Sequence, residues 1–186
     1  TLKSTITILR RTEELPESEL IKRSIRNNRK AQKMLYYKYC NAMYSTAFRI
    51  VNDREEANDV LQDAFIQIFR DLKNFRNEST VGTWMKTIVI RTALKKLRNR
   101  LEFQSVEDPS IYLLPEHFIH LDAEYLEKAI LSVPAGYRAV FLLIEVEGYS
   151  HKEVARMLEI SEGTSKSQLS RAKKMLREII TGKTEE

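Results

Sequence analysis

Two carboxylates one helical turn apart, Asp59 and Asp63, and two histidines close in sequence, His117 and His120, are pairs that by type could hold a metal ion. Metal-assisted hydrolysis needs more than that. No third ligand or basic catalyst joins the aspartates at a recognisable spacing, and the histidines lack cysteine partners. The chain shows neither a phosphate-cradling glycine loop nor the setting of a serine or cysteine nucleophile. The expectation is therefore no enzyme, no metal and no cofactor. Cation chemistry is better provided for. Between Lys86 and Arg100 stand six bases and no acid. Helical projection separates a stripe of Trp84, Ile88, Arg91, Lys95 and Arg98 from Val89, Ile90, Ala93 and Leu97. Phosphates favour the cations and unstacked bases favour an aromatic platform, so the stripe suits a nucleic-acid strand being opened or held single. The polar loop Asn77, Glu78, Ser79 and Thr80 just before it offers hydrogen bonds to an extruded base.

A second surface of this kind follows Gly148. Ser150-His151-Lys152-Glu153 has the pattern of a capping box, and Val154, Ala155 and Leu158 make the inner face of a short helix. Glu159-Ile160-Ser161 then supplies a three-residue turn, with Ser161 able to cap the next helix. That helix keeps Ser165, Leu169, Ala172 and Leu176 on one side and turns Thr164, Ser167, Arg171 and Lys174 to the other, flanked by Lys166 and Ser170. An apolar back and a cationic, hydrogen-bonding front are what a helix-turn-helix presents to the major groove. Glu159 stands where glycine is common and Ser165 where a β-branched residue is common; both lower the intrinsic stability of the turn.

The elements that must carry these surfaces are helices. With 186 residues, 42% hydrophobic and 31% charged, and only five glycines and four prolines, the composition predicts an all-α chain of two modules. Leu35, Tyr39, Ala42, Met43, Ala47 and Ile50 recur at helical spacing, so Glu19 to Val51 is predicted as one or two helices. Asp53 with Glu56 reads as a capping box opening a helix whose buried face is Leu61, Ala64, Phe65, Ile68 and Leu72. After a polar loop from Asn74 to Thr80, a further helix is predicted from Val81 to Arg100. A second module opens near Ala123, breaks at Pro134 and restarts with that proline in the first turn. Tyr137, Val140, Phe141 and Ile144 form its apolar face, and Gly148 stops it. The predicted division is an extension over 1–18, a helical bundle over 19–103, an acidic linker over 104–122, a helix-turn-helix module over 123–181 and a tail over 182–186.

Charge follows this division. The net charge is +5, yet residues 19–104 hold 18 Lys+Arg against 9 Asp+Glu, and residues 105–122 hold four acids and no base. Two prolines mark that stretch as a linker, while Tyr112-Leu113-Leu114 and Phe118-Ile119 are apolar enough that it is expected to dock. The lone Cys40, with no signal peptide and no long apolar run, points to a reducing cytoplasm and no membrane insertion; the apolar start from Leu2 to Leu9 is too short to span a bilayer. One face of the Asp53-capped helix, made of Asp59, Gln62, Asp63, Ile66 and Arg70, places an isoleucine among charges, which hints at a protein partner.

Asp59-Val60-Leu61-Gln62-Asp63-Ala64-Phe65, Phe75 followed nine residues later by Trp84, and the segment from Glu147-Gly148-Tyr149-Ser150 to Lys174 resemble the small bacterial sigma factors of the extracytoplasmic-function group, in the sigma-70 superfamily. The resemblance covers residues 19–103 and 123–181. It implies a non-catalytic subunit of RNA polymerase that reads two promoter elements. By that resemblance Asp59, Gln62, Asp63 and Ile66 would dock on the clamp of the largest polymerase subunit, and the second module would meet the flap of the second largest. Asn77, Ser79, Thr80, Trp84, Lys86, Arg91 and Lys95 would recognise and melt the −10 region. Lys166, Ser167, Ser170, Arg171 and Lys174 would read the −35 element, and the linker would pass near the RNA exit path. An anti-sigma protein joins promoter DNA and core polymerase as an implied partner.

The chain also departs from the family pattern. Members often carry Val-Lys-Ser-Arg-Leu where this chain has Ser165-Lys166-Ser167-Gln168-Leu169, so a backbone-anchoring cation is missing. Housekeeping relatives place two aromatics where this chain has Trp84-Met85, and the usual asparagine of the Trp84 helix is replaced near Arg91-Thr92. The rival expectation is an autonomous helix-turn-helix regulator, which would need a dimerisation surface to read two half-sites together.

Overall fold

The structure, a computed structural model, describes residues 15–103 and 123–182. The apolar start, the linker with His117, His120 and its two apolar clusters, and the last four residues lie outside the described residues. Every regular element among the described residues is helical, and no helix there is long and apolar enough to cross a membrane.

The first module contains α1 (Glu17–Ile25), α2 (Arg29–Val51), α3 (Arg54–Asp71) and α4 (Val81–Phe103), with a 3-10 turn over Leu72–Asn74. The stretch read as one or two helices is two. Asn27 takes the left-handed conformation at φ 59°, and the Asn28 side chain accepts a hydrogen bond from the Ala31 backbone N–H at 3.0 Å. Asparagine is among the few side-chain-bearing residues that tolerate that φ. Asn52 ends α2 the same way at φ 55°, and Asp53 starts α3 at once by accepting from the Glu56 N–H at 2.8 Å. The reciprocal half of the expected capping box is absent, because the Glu56 carboxylate instead receives Arg100 Nη1 at 2.9 Å.

Leu35, Met43, Ala47 and Ile50 of α2, Leu61, Ala64, Phe65 and Ile68 of α3 and Met85, Val89, Ala93 and Leu97 of α4 are buried in one cluster. Two members of the predicted α2 stripe are not buried within it, although Tyr39 packs against its edge. Ala42 is exposed, and Tyr39 is half-buried with its phenol donating to Glu17 Oε1 at 2.6 Å, which ties α1 to α2. Burial and that carboxylate push the phenol well above its ordinary range, so it stays a donor.

The second module contains α5 (Ala123–Ser132), α6 (Ala135–Phe141), a π-helical turn over Leu142–Val146, α7 (His151–Leu158) and α8 (Glu162–Thr181). Pro134 sits at the N-cap of α6, one residue ahead of the predicted first turn; having no N–H, it costs nothing there. Gly148 follows the π turn at φ 76°, a conformation that favours a residue without a side chain.

The sequence left the arrangement of the two modules open; the structure packs them on a shared core. Ala139, Val140, Leu142, Leu143, Val154 and Leu169 belong to the same buried cluster as α2, α3 and α4. Arg138 bolts the seam. It is 3% exposed, and its guanidinium donates to four backbone carbonyls. Arg49 O at 3.1 Å and Ile50 O at 3.2 Å close the last turn of α2, while Leu131 O at 3.0 Å and Val133 O at 2.7 Å lie at and just beyond the end of α5. Helix C-termini carry unsatisfied carbonyls and partial negative charge, so one cation placed between two of them satisfies both. Burial, with Arg100 nearby, pushes this guanidinium down to about 10, which still leaves it charged at neutral pH. Arg49 adds an ion pair to Glu127 at 3.2 Å, and the Asn52 amide donates to Leu131 O at 3.2 Å.

Candidate nucleic-acid interface

The helix-turn-helix is built by local bonds between neighbouring residues. Ser150 accepts from the Glu153 N–H at 3.3 Å, and the Glu153 carboxylate accepts from the Ser150 N–H at 2.8 Å and its hydroxyl at 2.7 Å, a complete capping box. These bonds hold the Glu153 carboxyl below its usual range. Glu159 ends α7 in the left-handed conformation at φ 57°, which is why glycine is favoured there. Ser161 caps α8, accepting from the Thr164 N–H at 2.9 Å. Ser165 is fully buried, and its hydroxyl bonds His151 Nδ1 at 2.9 Å. Serine therefore fits a position usually filled by an apolar residue, because α7 supplies its partner.

Ser165, Leu169, Ala172 and Leu176 are all buried, while Lys166, Ser167, Ser170, Arg171 and Lys174 are all exposed. The front is thus composed as the periodicity predicted except at Thr164, which is half-buried with its hydroxyl bonded to Ser161 Oγ at 2.8 Å. Some of its members are engaged. Ser167 Oγ donates back to Thr164 O at 3.0 Å, Lys174 lies 3.8 Å from Glu178, and Arg171 Nη1 donates to the Tyr137 hydroxyl at 3.1 Å. Tyr137, placed on the apolar face of α6 by its spacing, is half-buried with its hydroxyl at this front.

α4 is different. Arg91 and Lys95 are exposed, Trp84 and Arg98 half-exposed, and together they make the cationic strip. Ile88, predicted within that strip, is 8% exposed and packs in the core, since α4 is covered on more of its circumference than an amphipathic surface helix would be. Trp84 leans on Phe75 with ring centroids 5.4 Å apart and packs against the core, so the larger part of its surface is structural and a smaller part is presented. Lys86 lies away from the strip and pairs with Glu147 at 3.0 Å. Arg98 pairs with Glu159 in the turn before α8. Lys96 pairs with Asp59 at 3.1 Å and Arg100 with Glu56 at 2.9 Å. Among the described residues no carboxylate is paired with Arg91 or Lys95. With Asp63, Gln67, Thr92 and Asn99 those two line an open groove between α3 and α4.

The loop leading into α4 holds Asn77 at φ 57° and leaves Asn77, Glu78 and Ser79 exposed. Thr80 is committed to the helix start, its hydroxyl accepting from the Thr83 N–H at 3.1 Å. Ser79 Oγ donates to Thr80 O at 3.3 Å. On the outer face of α3, Asp59, Gln62, Asp63 and Ile66 are exposed together, Ile66 at 59%. Beside them an aromatic row, Tyr37 on Tyr36 and Tyr36 on Phe65, joins α2 to α3 with Tyr37 left 63% exposed. The sequence did not point to Tyr37 or Arg138, nor to Glu147 and Glu159 as partners of α4 cations. Periodicity finds faces, and these residues act through neighbours remote in the chain.

Comparison with known proteins gives one answer for both modules. The sigma-70 region 2 family matches residues 35–101 and the sigma-70 region 4 family matches residues 123–176. The chain is 27% identical over 168 residues to an ECF RNA polymerase sigma factor, SigM, of Mycobacterium tuberculosis, covering 90% of this chain and 86% of that protein. It is 29% identical over 177 residues to the RNA polymerase sigma-H factor of Pseudomonas aeruginosa, covering 86% and 91%. Among solved structures it resembles the sigma factor RpoE crystallised with the anti-sigma factor NepR from Bartonella quintana. The TM-score there is 0.52 at 24% identity, over 80% of this chain and 96% of that one, a likeness of fold.

Proposed function

The chain belongs to the sigma-70 family, in its extracytoplasmic-function group, and from that membership together with the placement of its exposed side chains we propose how it divides its work. As a sigma factor it directs RNA polymerase to promoters and initiates transcription there. In this reading it supplies no catalysis of its own and works in the cytoplasm, with an anti-sigma protein as a further partner. Lys166, Ser167, Ser170, Arg171 and Lys174 read the −35 element from the major groove. Trp84, Arg91 and Lys95, with Asn77 and Ser79, meet the −10 strand as it opens. Lys86 and Thr80 take a smaller share, since one is held by Glu147 and the other caps α4. Asp59, Gln62, Asp63 and Ile66 dock on the clamp of the largest polymerase subunit, and the second module meets the flap of the second largest.

The observation that carries this is the α8 front, five polar or cationic side chains exposed together on a helix whose opposite line is fully buried. In-vitro transcription with core polymerase on a promoter library tests it. Transcripts should start downstream of a shared pair of sequence elements only when the chain is added, and random starts would refute it. Asp63→Lys reverses a charge on the exposed face of α3 and should weaken core binding about a hundredfold while leaving the helical spectrum unchanged. Undiminished co-purification with core enzyme would remove α3 from the docking surface.

A further inference from the structure

We propose that Tyr137 is a positioning residue for promoter reading, its phenol holding the Arg171 guanidinium ready at the edge of the α8 front. This rests on the reading of that front as the DNA-facing surface. Arg171 is exposed, and a solvated arginine is spread over many rotamers. Tyr137 is not free in that way. Its ring packs against the buried cluster of Ala129, Val133, Ala172 and Leu176, so α5, α6 and α8 together fix it. Against this fixed ring the guanidinium donates from Nη1 to the phenol oxygen at 3.1 Å, with its central carbon 5.9 Å from the ring centroid. This hydrogen bond to a ring that is itself fixed selects one region of rotamer space.

The chemistry of the partner matters as much as its position. On α4 the comparable cation Arg98 is held by a carboxylate, Glu159, which neutralises it and competes with any phosphate. A phenol orients without neutralising. Arg171 spends one of its five N–H donors and keeps its full charge and its fork for a bidentate contact. The phenol oxygen accepts from Arg171, which leaves the phenolic O–H to donate to an adjacent phosphate or base acceptor. Tyr137 and Arg171 then present a donor and a cation side by side from two different helices. Ordering the guanidinium before DNA arrives removes part of the ordering cost at binding.

The test uses the chain assembled with core polymerase and, as probe, the duplex that the wild-type assembly selects from a pool randomised across the upstream element. Dissociation constants are measured for wild type, Tyr137→Phe, Arg171→Ala and the double variant, with unfolding midpoints alongside. Tyr137→Phe keeps the packed ring and should leave the midpoint unchanged. It should weaken binding about threefold to tenfold with Arg171 present, and by less than about 1.5-fold once Arg171 is alanine. Arg171→Ala weakening binding while Tyr137→Phe has no effect, or the same Tyr137→Phe loss in both backgrounds, would overturn the proposal alone. Arg171→Ala without effect would overturn the reading of the α8 front and the proposal with it.

Discussion

α4 and α8 are long helices of similar length with a buried back and several cations, and they differ in what covers them. α8 is buried along a single line, and its front faces outward. α4 is buried by Met85, Val89, Ala93 and Leu97 and also by Ile90 and Leu94, so only a strip is left. Of its six cations from Lys86 to Arg100, four meet carboxylates, and two of those, Glu147 and Glu159, come from the second module. The charge a helix carries is therefore not the charge it offers. A polyanion reaching α8 meets a front whose Arg171 is held by a phenol and whose Lys174 lies 3.8 Å from Glu178; one reaching α4 must take Lys86 and Arg98 from internal carboxylates or settle for Arg91 and Lys95.

The contrast can be broken most severely at Arg138. Arg138→Met leaves the Arg49, Ile50 and Val133 carbonyls without their side-chain donor, while Leu131 O keeps the Asn52 amide; at about 1–3 kcal/mol each when buried, a total loss of about 3 kcal/mol or more is expected in denaturant unfolding. Small-angle scattering should show the modules apart, with α4 as open as α8. An unchanged radius of gyration would mean that apolar packing alone holds the seam.

On the α8 side, Arg171→Ala should weaken use of the upstream element by about 1–3 kcal/mol if the side chain reads a base edge. Equal loss on scrambled upstream duplex would make it a phosphate contact.

A smaller effect should come from the carboxylates that cover α4. Glu147→Gln with Glu159→Gln releases Lys86 and Arg98, and half-exposed ion pairs contribute less than about 1 kcal/mol each. Stability should barely move, whereas non-specific duplex binding should tighten and the magnitude of its salt slope grow by about one to two. No change in slope would show that these cations never meet phosphate.

The least effect is a pH dependence confined to α7. The folded Glu153 carboxyl lies below its unfolded value, so its capping contribution is present at neutral pH and is lost as pH falls through the folded value. The difference in unfolding midpoint between wild type and Glu153→Gln should shrink on acidification. A difference constant with pH would place the cap in the hydrogen bonds alone.

Much of this molecule was legible in advance, unevenly so. The α7-turn-α8 unit could be read residue by residue because its caps, its turn and its buried line all act within a few positions of one another. Within the unit the partner of Ser165, His151 Nδ1, had to be seen, as did the outside partners of Glu159 and Arg171. The α4 region was read correctly as helical and cationic but wrongly at Ile88, because its covering comes from helices distant in the chain.

Helix starts and stops, the polar front of α8 and the strongly basic character of α4 were set by the sequence, because capping bonds and 3.6-residue periodicity need only near neighbours. Which cations stay available, which phenol meets which arginine, and how the modules join through Arg138 were decided only by tertiary structure. Such contacts link residues 34 to 89 positions apart, and their geometry exists only after the core has closed.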